Sequence, residues 1–324
     1  MRRTPPPIIP RQMPPGGVWR RTPPAIFPPI MGLLGLGLAW RPALAAAGIP
    51  GGAAEAWLGA ASLLWAFAAI AYLGKVVQRP AVVVEDLRLL PGRAGLAAAV
   101  LGGLLVAAAL VAYAPGAARW MAFGGLALHA LLAVTVARII LGGPPEGRVV
   151  TPVFHLTFVG FILGALALAP LGHTGAASAI LWATMAVAAA VWAVSLRDLA
   201  ARIPPAPLRP LLAIHLAPAS LFATVAALMG HHDLALAFAA LAGAILLVLL
   251  AVARWLTVAG FSALWGAFTF PLAACAGAFL AVGWAVAGIM LTVAASAVTL
   301  WVALRVLRDW ARGSLAERTN AATA

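Results

Sequence analysis

Ten long apolar stretches, separated by short connections, occupy most of this chain. Each is about 20 residues long, the length that an α-helix needs to cross the hydrocarbon core of a bilayer. Only 9% of the 324 residues are charged, too few to cover the surface of a soluble domain of this size. The sequence therefore predicts an all-α integral membrane protein. The predicted spans are 26–47, 53–74, 94–114, 118–140, 153–171, 175–196, 211–229, 234–253, 259–283 and 285–307.

Lysines and arginines predict the orientation of these spans. Positive residues accumulate in the cytoplasmic connections of membrane proteins. With the N-terminus in the cytoplasm, 19 of the 21 lysines and arginines fall on the cytoplasmic side, and only Arg41 and Arg119 fall outside. One wrong span would exchange the sides of all later connections, so the distribution favours ten spans with both termini cytoplasmic. Because the net charge of +13 belongs to these connections, it argues against a nucleic-acid partner.

Two tails flank the predicted membrane domain, which covers residues 26–308. Residues 1–25 are rich in proline and arginine, a composition that predicts a disordered or polyproline-like cytoplasmic tail. They contain no apolar stretch followed by a small-residue cleavage site, so we expect no cleaved signal peptide. Residues 309–324 are expected to form a cytoplasmic C-terminal tail. The single cysteine, Cys275, excludes an internal disulfide.

Prolines recur in the odd-numbered spans at intervals of roughly 60 residues. They lie in or at the start of spans one, three, five, seven and nine, at Pro28, Pro91, Pro152, Pro218 and Pro271. No even-numbered span has a proline in its interior. This spacing predicts five repeated helical hairpins, with bent odd helices inside and straight even helices facing lipid. The alternative, that prolines only start helices, covers Pro91 and Pro152 but not Pro218 and Pro271.

The polar residues within the spans favour an anion pathway. All eight acidic residues lie in loops, tails or span edges, whereas cation channels and proton-coupled carriers usually need a carboxylate in the membrane. No lysine or arginine lies deep in a span either. The remaining groups are weakly polar side chains, such as Thr157, Ser220, Thr224 and Thr269, and backbone exposed at the bends. Weak sites suit a conductive pathway, because a tightly held ion does not leave.

Histidines at three span positions, His129, His155 and His215, have two interpretations. A single histidine in a membrane span is more often a hydrogen-bond partner between helices than a ligand. His215, one turn before Pro218, is the best candidate to face a pathway.

A second group of histidines suggests a function of another class. His231, His232 and Asp233 share the predicted outer side with His173, and together they could serve a membrane metalloenzyme. They lack the i, i+4 spacing of a helical metal pair, and the chain shows no nucleotide-binding or nucleophile motif. We therefore expect no metal, no cofactor and no enzymatic activity, with the metalloenzyme and a purely structural scaffold as alternatives.

Four motifs in chain order resemble the tellurite-resistance/dicarboxylate transporter family, the TehA-like proteins and their relatives among plant slow anion channels. The stretch LWGAFTFPLAAC (264–275) is similar to the ninth helix of that family, with Trp265, Phe268, Thr269, Phe270 and Pro271 in the pattern. The spacing between Trp265 and Phe268 is one residue longer than in the family. The other three motifs are IFPPIMGLLGLGLAW (26–40), TPVFHLTFVGF (151–161) and LAIHLAPASLFATVAALM (212–229).

The resemblance implies both a fold and a function. The fold is ten transmembrane helices, as five helical hairpins around a quasi-fivefold central pore, assembled as a homotrimer in lipid, in a bacterial inner membrane. The function is passive conduction of small anions through a pore gated by Phe270, and the alternative is a secondary carrier or exporter of tellurite-like oxyanions or four-carbon dicarboxylates. The candidate pore-lining residues are Pro28, Phe154, Phe158, His215, Pro218, Phe222, Thr269 and Pro271.

Overall fold

The computed structural model describes residues 19–143 and 148–324, and within these ranges the chain is helical with no strand. The helices are α1 (Phe27–Ala46), α2 (Gly52–Gln78), α3 (Val82–Arg88), α4 (Leu90–Leu110), α5 (Pro115–Gly142), α6 (Ile162–Leu168), α7 (Thr174–Ala201), α8 (Leu216–Leu228), α9 (His232–Ala251), α10 (Ala253–Leu256), α11 (Gly266–Ala281), α12 (Ala285–Ala311) and α13 (Ser314–Arg318). Segments of 3₁₀-helix lead into α1, α8 and α11 at Pro24–Ile26, Ala206–His215 and Ala263–Trp265, and a π-helical turn, His155–Val159, precedes α6.

Nine helical segments of the described chain are long and apolar enough to cross a membrane. They coincide with nine of the ten predicted spans. The remaining span, predicted at 153–171, is a shorter apolar helix over His155–Leu168. It begins with the π-helical turn His155–Val159, and Gly160 and Phe161 form a turn between that π turn and α6. Hydropathy cannot predict such an irregularity, because all of these residues are apolar or weakly polar.

The long segments divide into an inner and an outer layer. In the segments that contain α1, α4, α8 and α11, 50–72% of the most apolar window is buried within the protein. In α2, α5, α7, α9 and α12 the corresponding share is only 22–28%. The buried segments are the odd-numbered spans, so the layers follow the alternation that the prolines predict.

The inner elements pack in chain order into a closed ring. Helix α1 packs against α4, α4 against α6, α6 against α8, α8 against α11, and α11 returns to α1. Each outer helix of the described chain packs against the inner element before it and the one after it, as α2 does with α1 and α4. The indoles of two α2 tryptophans hold this contact, since Trp57 donates to the carbonyl of Leu33 and Trp65 to that of Ala99, both at 2.8 Å.

A buried ionic cluster, here called the Asp86 cluster, ties the chain ends to the α2–α3 connection. Asp86 accepts hydrogen bonds from Lys75 Nζ at 2.8 Å, from the Tyr72 hydroxyl at 2.9 Å and from the backbone N–H of Ala322 at 2.8 Å. Lys75 also donates to the carbonyl of Thr22. Both charged side chains are buried, and this arrangement pairs each of them.

The predicted N-terminal tail, 1–25, lies mainly outside the described residues, which begin at Trp19. Residues 19–25 form a turn and enter the first 3₁₀-helix, and Thr22 and Ala25 are buried. The backbone N–H of Ala324 donates to the carbonyl of Arg20 at 3.1 Å. Segments 19–22 and 314–324 therefore meet at one end of the ring.

Candidate functional site

Helix α11 carries a proline in its interior, directly after Phe270. Pro271 has no N–H, so the carbonyl of Ala267 lacks its usual donor within the helix. Two residues before the proline, the Thr269 hydroxyl donates to the carbonyl of Gly266 at 2.7 Å and lies 3.3 Å from that of Pro28. Thr269 thus joins the first turn of α11 to the first turn of α1.

Two glycines of α1 allow α11 to approach closely. A Cβ atom at Gly35 would lie 2.7 Å from Cδ2 of Phe270, and a Cβ atom at Gly32 would overlap the Thr269 side chain. The Phe270 ring therefore rests on the glycine face of α1 and is only 6% exposed. Because any larger residue at Gly35 would displace the ring, the sequence of α1 helps to set its position.

Phe270 lies between two cavities on the inside of the ring. The near cavity, about 50 Å³, lies at the N-terminal ends of the inner helices and is lined by residues that include Ala25, Pro28, Pro91, Ala94, Ala263 and Pro271. The far cavity, about 400 Å³, lies toward their C-terminal ends and is lined by residues that include Pro42, Ala108, Thr224, Leu228, Gly277 and Ala281. The Phe270 ring lines both cavities.

A third space, here called the side cavity, also borders Phe270. It measures about 20 Å³ and is lined by residues that include His155, Leu156, Gly160, Ile214, Pro218 and Leu221. The described linings of all three cavities contain no charged side chain. Thr224 and His155 are the residues with polar side chains on these described linings, and the other lining residues are apolar.

The structure brings four of the nine predicted site residues to these cavities. Phe270 lines all three, Pro28 and Pro271 line the near cavity, and Pro218 lines the side cavity. Thr269 lies beside them and is buried in its hydrogen bonds between α11 and α1.

The other four predicted residues do not line the three cavities. The rings of Phe154 and Phe158 pack against each other, with centroids 5.4 Å apart. Phe222 packs against Phe238 of the outer helix α9, at 5.2 Å. His215 lies against His155, its Nδ1 at 2.9 Å from His155 Nε2. For these four residues, contact with a pore remains a prediction.

Sequence reasoning missed several groups at or near the site. Gly32 and Gly35 were not singled out, because a glycine in a membrane helix gives no sign of which side chain it accommodates. His155 was expected to bond between helices, and it does bond to His215 of another element, but its place on the lining of the side cavity was not predicted. The predicted outer histidines lie elsewhere: His173 packs against Phe123, and His231 and His232 are exposed at the start of α9. No group of three or more His, Cys, Asp or Glu within the described ranges is placed to share a metal ion.

The ring thus contains two cavities with the Phe270 side chain between them, and the described linings of both carry no charged side chain. Comparison with curated proteins gives no match. A family model described as voltage-dependent anion channel, SLAC1, matches residues 21–307, which include the whole ring. The chain therefore belongs to the SLAC1 family of voltage-dependent anion channels.

Proposed function

We propose that this protein conducts small anions passively along the axis of the ring and that the Phe270 side chain gates the pathway. The observation that carries the proposal is the position of Phe270 between the near and far cavities. A change of this one phenylalanine side chain from one staggered rotamer to another would join the two cavities. An apolar constriction of this kind closes a pore by excluding water.

The pathway requires that the short fifth segment also crosses the membrane. His155–Leu168 belongs to the inner ring through the contacts of α6 with α4 and α8, and α5 and α7 cover it from outside. A π turn is acceptable at membrane depth where protein rather than lipid surrounds it. Ten crossings then form five hairpins around a quasi-fivefold pore, with residues 26–308 as the channel domain.

The distribution of positive charge supports the orientation of this domain. With ten crossings, 16 of the 18 lysines and arginines within the described residues lie on the side where segments 19–22 and 314–324 meet. We assign this side to the cytoplasm and the protein to a bacterial inner membrane, as a homotrimer with one pore in each subunit. The permeant species are small anions, and the protein acts as a channel rather than an enzyme.

The cavity linings favour anions because their described residues include no charged side chain. Carboxylates would repel them, and none lies on the described cavity walls. A buried arginine or lysine would hold them too tightly for rapid passage. Partial charges from bent helices, such as the first turn of α11, provide weak attraction along the path.

Replacement of Phe270 by alanine tests the proposal. In planar bilayers containing the purified protein, Phe270→Ala should raise the anion current markedly, because the replacement joins the two cavities. Phe279→Ala is the matched control, since Phe279 is also a buried phenylalanine of α11 but packs toward α9 near Gly243. An unchanged current in a folded Phe270→Ala protein would contradict the gate.

The size of the far cavity favours a second candidate, a carrier or exporter of tellurite-like oxyanions or four-carbon dicarboxylates. A volume of about 400 Å³ falls in the range of small-molecule sites, whereas the near cavity is much smaller. A carrier would move the anion against its own gradient at the expense of the gradient of a second ion. A channel would show a voltage-driven current whose reversal potential follows the anion gradient alone.

A further inference from the structure

Two histidines from different inner elements form a hydrogen-bonded pair inside the ring. His155 opens the π turn before α6, and His215 ends the 3₁₀-helix before α8. His155 Nε2 and His215 Nδ1 are 2.9 Å apart. His155 is only 3% exposed, and the indole of Trp192 from α7 covers it, with ring centroids 5.6 Å apart.

The protons of this pair can be counted. Two neutral imidazoles carry two N–H protons, one of which lies between the rings. The other is on the outer nitrogen of one ring, either Nδ1 of His155 or Nε2 of His215. When the pair takes up a third proton, both outer nitrogens become N–H donors and the pair carries one positive charge.

His155 presents its outer nitrogen without a partner. Nδ1 of His155 is buried and forms no hydrogen bond within the described chain. His155 is also the only titratable residue on the described lining of the side cavity, which borders Phe270. A volume of about 20 Å³ accommodates one particle of the size of water. The π turn that begins at His155 is a type of distortion that occurs frequently at functional sites.

We propose that the His155–His215 pair binds one proton together with one small inorganic anion in the side cavity. This inference rests on the anion pathway proposed above. The charged pair donates from His155 Nδ1 to the anion, and no bond other than N–H is made or broken. A lone charge in this apolar surrounding would be costly, so proton and anion bind more favourably together than either does alone. Anion affinity in the pathway then increases as the pH falls.

Within the described chain, no hydrogen bond or ion pair joins either histidine to a charged side chain. The interior titratable residues of these helices are His129, which packs against Phe161, and Cys275, which lies beside Ser220. The charged residues of α1, α4, α5 and α7 are at or near helix ends, at Arg41, Arg93, Arg119, Arg138, Arg197 and Asp198. On the 3₁₀-helix of His215 itself, Arg209 donates to the carbonyl of Pro204 and stacks on the Trp255 ring, and α10, which packs against that 3₁₀-helix, carries Arg254. His215 is therefore the group that shares the proton with His155.

Chloride currents through the Phe270→Ala protein provide the first test. With one proton bound for each anion, the chloride concentration that gives half-maximal current should fall by up to about tenfold for each unit of pH decrease. His155→Gln in the same background should abolish this dependence. His173→Gln should retain it, because His173 contacts Phe123 at the end of α7 outside the three cavities. Equal pH dependence with and without His155 would overturn the proposal.

Proton uptake by the wild-type protein provides a test that needs neither current nor substitution. Addition of sodium chloride to weakly buffered protein should cause uptake of as much as one proton per chain, whereas sodium gluconate, with an anion too large for the side cavity, should cause none. Equal uptake with the two salts, or none with chloride, would overturn the proposal. If Phe270→Ala carries no current but chloride-dependent uptake occurs, the gate is wrong and the paired site stands.

Discussion

At the scale of single residues, the position of Phe270 depends on the absence of side chains at two glycines of α1. Gly35 leaves room for the ring, and Gly32 leaves room for the Thr269 side chain that precedes it. The sequence pointed to Phe270 and Pro271 through a resemblance, but it could not show the complementary glycines. It also placed His155 and His215 in spans without pairing them, because 60 residues separate the two.

The substitution Gly35→Ala tests this contact through stability. Its Cβ would lie 2.7 Å from Cδ2 of Phe270, and such overpacking costs about 1–3 kcal/mol. We expect a lower unfolding temperature in detergent, and a much smaller loss when Gly35→Ala is combined with Phe270→Ala, because the ring is then absent. Gly277→Ala is the control, since a Cβ there meets no atom within 4 Å. Equal losses in the two backgrounds would refute the contact.

At the scale of elements, apolar length predicted ten spans, nine of which coincide with helices long enough to cross a membrane, and the proline spacing predicted which of these are buried. The fifth span is the shorter helix His155–Leu168, whose initial π turn has no signature in the hydropathy of the sequence. The 3₁₀-helix Ala206–His215, which leads into α8 a few residues before Pro218, was likewise not predicted. Among the described inner elements, the interior proline of α11 was therefore readable from the sequence, whereas the π turn and the 3₁₀-helix before α8 were not.

Two neighbouring acidic residues of α3, Glu85 and Asp86, differ in the burial of their ion pairs. Asp86→Ala would leave the buried charge of Lys75 without its partner, a change that costs about 3–5 kcal/mol. It would also remove the acceptor of the Ala322 N–H. We therefore expect a lower unfolding temperature and faster proteolysis of residues 309–324.

The neighbouring acid, Glu85, is the control for this experiment. Its bond with Arg79 is partly exposed, so Glu85→Ala should change the unfolding temperature little. Hydrogen bonds from Arg79 hold the pKa of Glu85 below its ordinary value, so this small contribution is present at neutral pH and is lost only as the pH falls through that lowered value. Equal effects of the two substitutions would show that burial of the Asp86 cluster is not what stabilises the connection.

At the scale of the whole molecule, the number of crossings decides the topology. In a protein with Cys275 replaced by alanine, single cysteines at Val149 and Thr174, both exposed and on opposite sides of the short helix His155–Leu168, should react from opposite sides of the membrane. We expect a membrane-impermeant maleimide to label Thr174→Cys from outside and Val149→Cys only after the cells are opened. Labelling of both from one side would mean that the fifth segment does not cross and that the ten-crossing topology is wrong.

Assembly is a second property of the whole molecule that can be measured. The outer layer exposes large apolar side chains that include Leu63, Leu131, Trp182, Leu247 and Met290, which suit contact with lipid or with another subunit. We expect native mass measurement in mild detergent to give three copies of the 33.0 kDa chain. A monomeric mass under conditions that preserve activity would contradict the trimer.

The most direct test of the central claim is the anion conductance of a series in which the residue at position 270 decreases in volume. We expect the conductance to increase in the order Phe270, Phe270→Leu, Phe270→Val and Phe270→Ala, because each step removes more of the side chain between the near and far cavities. Conductance that does not depend on the volume of this side chain, in variants shown to be folded, would contradict the account.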